Sequence, residues 1–305
     1  MKVLRGGKDP DMVAAIRWDQ GEAMTRSSLD RALPHHHRPQ LAFLAAVLAA
    51  ACGGGVKGPA GAPVGQNTQP GAGAGVELTT AEAVLEASIA AQGGRERMGK
   101  LRAVRQVGTF AIPQMSIKGA LTIVAAPPRS SLRTVELPGL GKSSQGVSGD
   151  VAWEVDPITG SRVIDGEERA QLLRDGTFNA ALAWKELYPK AELLGVVDLA
   201  GRPVYKVVLT AADGDTQTRY FAKDTLLPAG VEMVARSQLG KVPLMMELSD
   251  WRDVGGIKYP HKLTRKEGPR TIEIRIDKIE LDPALDPQTF ALPPEIAALP
   301  KPASP

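Results

Sequence analysis

Apolar residues that recur at every second position constrain this chain more than any other feature, because successive side chains of a strand point to opposite faces of a sheet. Ile117, Leu121 and Ile123 share one face of "SIKGALTIV", Tyr205, Val207 and Leu209 one face of "PVYKVVL", and Leu244, Met246 and Leu248 one face of "VPLMMELSDW". In "TIEIRIDKIEL", Ile272, Ile274 and Ile276 alternate before Ile279 and Leu281 change phase, which predicts a bulge near Asp277–Lys278. Turn formers separate the runs at Asp213–Gly214, Leu227–Pro228, Gly255–Gly256 and Gly268–Pro269. Such spacing implies about 10–11 short strands in one large, strongly curved or partly closed antiparallel sheet, with helices lidding one side, an α+β fold.

Two segments read as helix. In "LTTAEAVLEASIAAQGG", Thr79 and Glu82 have the spacing of a capping box. Ala81, Val84, Leu85 and Ile89 form an apolar stripe with Ser88 at its edge, and Gly93–Gly94 stop the helix. The second segment covers about 166–188, with Leu172, Leu173, Phe178, Leu182 and Leu187 apolar, Pro189 at its end and Asp175–Gly176 breaking it in two. Glu167 and Glu168 suit the positive end of its first turn.

Upstream, "LAFLAAVLAAACGGG" joins an apolar run, Leu41–Ala51, to Cys52, the single cysteine of 305 residues. Eleven residues are too few to span a bilayer as a helix. They fit the apolar part of a secretory signal, with Arg31 and Arg38 before it and small residues at its end. Small residues followed directly by cysteine resemble a bacterial lipoprotein signal, in which the thiol takes a diacylglycerol and the cysteine becomes the first residue. Buried acyl methylenes, each worth about 0.8 kcal/mol, then hold a domain at a membrane. An ordinary signal cut nearby is the alternative. Residues 1–23 are too acidic for a basic leader, whereas a start at Met24 gives a signal over 24–51; residues 1–23 are then an extension outside the protein. Residues 52–78, Gly/Pro/Ala-rich and without hydrophobic period, form a tether with an r.m.s. span of roughly 25–30 Å.

Composition narrows the chemistry further. Hydrophobic residues make up 43% and charged residues 23%, ordinary values for a chain that folds around a core. Of the net charge of +3, residues 1–51 carry +2, with seven Lys/Arg against five acids, so +1 remains for the rest. That balance implies no basic face for nucleic acid. His35, His36 and His37 precede the apolar run, so His261 is the one histidine of the mature region. With one cysteine and one histidine, the usual zinc sets and most Cys–His dyads are removed; no metal, cofactor or catalytic residue is expected.

The residues that carry a resemblance lie in the C-terminal half: "GRPVYKVVLTAADGDTQTRYFAKDTLLPAGVEMV", "LSDWRDVGGIKYPHKLTR" and "LDPALDPQTFALP". They comprise the aromatic pair Tyr220–Phe221, the turn Asp224–Pro228, the hairpin Ser249–Pro260 and the terminus Phe290–Pro293, with "LEASIAAQGGRERMGKL" at the opening. Over about 79–294 the chain resembles LolA/LolB-like envelope proteins, among them outer-membrane lipoprotein-sorting proteins. The resemblance implies an incomplete antiparallel barrel, lidded by helices, around an apolar cavity that holds acyl chains. Residues 295–305 then read as a Pro-rich tail.

Candidates for the cavity wall are Ile117, Leu121, Ile123, Trp153, Leu172, Phe178, Trp184, Met233 and Met246, for which a plain core role is the alternative. Methionines, Met245 included, suit a pliable lining. His261, beside Asp250 and Asp253, is the sole histidine base for a hydrolase reading, and a structural histidine is the reading preferred. Ser143–Ser144 in "GLGKSSQGVSGD" lacks the spacing of a phosphate loop and reads as a flexible hairpin loop.

Together these expectations describe a non-catalytic, membrane-anchored lipoprotein of the bacterial envelope. It binds lipid or lipoprotein acyl chains, with other envelope proteins as further partners, and no nucleic acid. Gly53 after the cysteine, where aspartate would signal inner-membrane retention, favours the outer membrane, facing the periplasm. The alternatives are a stress-sensing or scaffold protein that uses the same fold to bind protein, and an envelope hydrolase.

Overall fold

A computed structural model describes residues 77–238 and 240–299. The extension, the signal, Cys52 and nearly all of the tether therefore lie outside the described residues.

The chain enters through helix α1 (Ala81–Gln92) and the short α2 (Arg95–Gly99). Thr80, not Thr79, caps α1: its hydroxyl accepts from the Ala83 N–H at 3.1 Å, and since the third helical position is then Ala83, the capping box expected from Thr79 and Glu82 does not form. The stripe Ala81, Val84, Leu85, Ser88 and Ile89 is buried as its spacing predicts, with Gln92 added. Gly93 ends the helix at φ +137°, where a Cβ would stand 2.7 Å from the Gly256 carbonyl oxygen and 2.8 Å from Ile257, so both conformation and packing demand glycine.

Six strands follow: β1 (Val104–Ile112), β2 (Ile117–Ala126), β3 (Ser130–Leu137), β4 (Gly141–Ser148), β5 (Val151–Asp156) and β6 (Gly160–Ile164). Helix α3 (Gly166–Asp175) and the single-turn α4 (Trp184–Leu187) come next, broken after Asp175 as expected. Seven more strands complete the sheet: β7 (Lys190–Leu199), β8 (Arg202–Thr210), β9 (Thr216–Ala222), β10 (Pro228–Ser237), β11 (Gly240–Val254), β12 (Ile257–Glu267) and β13 (Arg270–Leu281).

All 13 strands form one antiparallel sheet in the order β6-β5-β4-β3-β2-β1-β13-β12-β11-β10-β9-β8-β7. Every neighbour is also a neighbour in sequence except β1 and β13, which join the two ends of the domain. At that join Val107 faces Lys278 and Gly108 faces Ile276, so Asp277 is the extra residue of the expected bulge. The free edges are β6 and β7, consecutive in sequence and separated by the helical connection. The result is the unclosed, curved sheet with a few helices expected of a LolA-like incomplete barrel.

Three sequence expectations are corrected. The strands number 13, not 10–11, because β3, β4 and β6 lack apolar alternation. Ser143 and Ser144 lie inside β4, paired with Val135 and Thr134, and are not a flexible loop. Pro294–Ala297, at the start of the expected tail, form a short helix, α5, that packs on β5 and β6 and buries Ile296.

Candidate functional site

One phase of each strand faces the concave interior, and its residues sort into distinct clusters. Phe110, Ile112, Leu121, Ile123, Val135 and Leu137 from β1–β3 pack with Val231, Met233, Leu244, Met246, Leu263 and Ile274 from β10–β13. Ile117 packs at the margin of the same cluster. Helix α1 and Trp184 of α4 bury Val84, Leu85 and Ile89 against Tyr205, Val207, Leu209 and Phe221 of β8–β9 and against Ile257 and Tyr259 of β12. Leu172 of α3 packs on Val147, Ala152 and Ile164, and Phe178 packs on Leu101, Val104 and Ala125.

The interior is not wholly apolar. Arg133, Gln145, Glu154 and Arg162 lie directly opposite one another across β3, β4, β5 and β6, so their side chains form a row on the inner phase. Arg133 donates to Gln145 Oε1 at 2.8 Å. Arg162 donates to Glu154 Oε2 at 2.9 Å and grips Glu168 of α3 with two further bonds at 2.8 and 2.5 Å. On β12, Arg265 and Glu267 continue the phase of Leu263 and pair with each other, and Arg270 of β13 joins Glu267.

Burial dominates the electrostatics here. Desolvation lowers the Arg133 guanidinium to about 10, and the charge of Arg265 pushes the same way. Burial likewise raises the Glu154 carboxyl, with the Arg162 cation opposing it. At the end of α3, desolvation lifts the Asp175 carboxyl to about 7; its Oδ2 is sealed from solvent without a hydrogen bond. Across from it on β9, Arg219 donates to Gln217 Oε1 at 2.7 Å and lies 5.4 Å from the Tyr188 ring centroid.

Helix α3 runs over the concave face from β5 to β10. Arg162–Glu168 pins it on the β6 side. On the far side the Gln171 amide is buried and acts as a one-residue strand: it donates to Val234 O at 2.8 Å and accepts from Arg236 N at 3.0 Å, where β9 no longer covers β10. Arg236 and Lys241 pair with Glu167 at 2.9 and 2.5 Å, and Arg174 pairs with Asp213 and Asp215.

The sequence candidates are thus placed as follows. Ile117, Leu121, Ile123, Met233 and Met246 come together in one cluster, while Leu172, Phe178 and Trp184 occupy three others. Trp153 is corrected: its neighbours Ala152 and Glu154 take the inner phase, and Trp153 is buried on the opposite face, its ring against Gly146. His261 is buried, with Nδ1 3.1 Å from the Tyr259 carbonyl oxygen. Sequence reasoning missed Arg133, Gln145, Glu154, Arg162 and Arg265. Each stands an even number of residues from an inward apolar neighbour such as Val135, Val147 or Leu263, but a polar residue at such a position carries no sign of burial until the strand's partners are in place.

A separate groove of about 440 Å³ opens on the β9–β12 flank, lined mainly by outward residues such as Thr218, Glu232, Met245 and Lys266. Among the described residues, no group of three or more His, Cys, Asp or Glu is placed to hold a metal.

The fold is thus an open, curved antiparallel sheet whose concave face is crossed by a helix. The structure is similar to that of a DUF1329 family protein from Desulfovibrio piger, with a TM-score of 0.50, 13% identity, and coverage of 69% of this chain and 96% of that one. A LolA superfamily protein from Nitrosomonas europaea matches with a TM-score of 0.49 and 12% identity over 70% of this chain and 99% of its own. A putative outer membrane lipoprotein-sorting protein domain from Vibrio parahaemolyticus matches at 0.47 and 11% identity, over 69% and 97%. At such identities the likeness is one of fold. No protein-family model matches the chain, and no curated protein does.

Proposed function

We propose that this protein is an envelope lipoprotein, anchored through acylated Cys52 and set on a tether, whose barrel takes up lipid or the acyl chains of another lipoprotein without chemistry. The observation that carries the proposal is the seam. The sheet stays open between β6 and β7, and side-chain contacts of α3 bridge its concave face in place of a strand ladder. An entrance of that kind opens without breaking backbone pairing, and the walls behind it replace water around an alkyl chain. Ile117, Leu121, Ile123, Met233 and Met246 form the wall of first choice, with Leu172 on the lid. The resemblance of residues 79–294 to LolA/LolB-like proteins supports the same reading, and Gly53 supports the outer membrane.

A second reading, a stress-sensing or scaffold protein, is favoured by edge strand β7, which exposes Leu194 (56%) and Val196 (39%) beside an unpaired backbone. Mass spectrometry of lipid extracted from the purified full chain tests the first reading. Stoichiometric acyl lipid beyond that attached to Cys52 is the expected result. A chain that carries none, and takes up no fluorescent fatty acid or ester, rejects it.

A further inference from the structure

Among the described residues, the inward-facing Arg133 makes no ion pair. Arg133 lies on the inner phase of β3, opposite Ile123 of β2 and Gln145 of β4. Its hydrogen bond goes to the neutral Gln145 amide, and among the described residues no carboxylate stands within ion-pair distance of it. The carboxylates nearby are already engaged: Glu154 and Glu168 by Arg162, and Glu267 by Arg265 and Arg270. Arg265 repels it, and Glu154, two strands away, attracts it only at a distance and is itself held by Arg162. A guanidinium taken out of water in this way is costly unless an anion meets it. Its side chain is only partly buried, so its free donors are not sealed off by protein. Ile123, Leu121 and Val135 carry the apolar wall onward from it, in register.

Resting on the lipid-binding reading, we propose that Arg133, oriented by Gln145, anchors the single anionic group, carboxylate or phosphate, at the end of an acyl chain inside the barrel. The ligand class is therefore an anionic amphiphile, not a neutral lipid. A planar guanidinium offers five donors, and Gln145 leaves most of them free for an oxyanion.

The test uses the full chain and two probes of equal chain length, cis-parinaric acid and its methyl ester, read by energy transfer from the tryptophans. The acid is expected to bind about tenfold more tightly than the ester. Arg133→Gln is expected to bring the acid down to the affinity of the ester while leaving the ester unchanged, which also reports that the barrel is intact. Arg133→Lys keeps part of the preference. Gln145→Glu, which supplies an internal counter-ion beside Arg133, removes the preference without removing the cation. Inorganic phosphate alone, at millimolar levels, is expected to displace neither probe. Equal affinity of acid and ester in the unaltered chain overturns the anionic anchor and leaves lipid binding standing. Phosphate that displaces the acid but not the ester overturns it too, since the site would then serve a free anion. Failure of both probes to bind rejects the lipid-binding reading itself.

Discussion

A methyl group at position 146 would stand 2.4 Å from Trp153 Cζ2, closer than real side-chain atoms approach. Gly146 is glycine because the indole lies flat across it on the outer face of β4–β5. We expect Gly146→Ala to destabilise the domain by about 1–3 kcal/mol, read as a shift in the denaturant midpoint with unchanged slope. Asp175 gives a second prediction at this scale. In the folded chain its carboxyl keeps a proton up to about 7, against an ordinary value of 3.8, because burial disfavours the anion. Between those values the folded state binds more protons than the unfolded one, so stability falls as pH rises toward 7. Glu154, raised for the same reason, adds to that slope. Asp175→Asn should flatten the decline and leave the variant the more stable form above neutral pH, as measured by urea unfolding across the range.

Helix α3 is the element on which the proposed entrance depends, and beside Leu172 and Leu173 its attachments are polar. Its mean character is charged, so Leu172 and Leu173 alone could not dock it firmly; Gln171 does so by completing the exposed backbone of β10. Gln171→Leu leaves the Arg236 N–H unpaired and the Val234 carbonyl with only the Arg236 guanidinium, 3.3 Å away, as donor, at a cost of about 1–3 kcal/mol. The loss should be local: hydrogen exchange across 166–175 should accelerate while β1 and β13 stay protected. Elements of this kind show how far local pattern reaches. The stripe of α1, the break after Asp175, the hairpin at Gly255–Gly256 and the bulge at Asp277 were legible, because each follows from side-chain period or turn chemistry within a few residues. Strands β3, β4 and β6 were not, because "SSLRTVEL", "GKSSQGVS" and "GSRVI" turn Arg133, Gln145 and Arg162 toward the interior, and polar residues on the inner phase erase the alternation on which strand recognition rests.

For the whole molecule, the reading of Cys52 as an attachment point makes a prediction that the barrel does not. Cys52→Ser should release the chain from the membrane fraction and remove the mass of the acyl groups, with the domain's unfolding transition unchanged, since about 25 Gly/Pro/Ala-rich residues separate the anchor from the fold. The chain by itself determined its class of structure, the positions of most strands and turns and the two helical segments, because these depend on period and turn chemistry. Tertiary structure alone decided that β1 pairs with β13, that the seam falls between β6 and β7, that Trp153 faces outward, and that Arg133, Glu154 and Arg265 meet inside one wall. The physical reason is that alternation fixes which side chains share a face but not which distant strand lies beside them, and a buried charge is recognised only when the groups around it are in place.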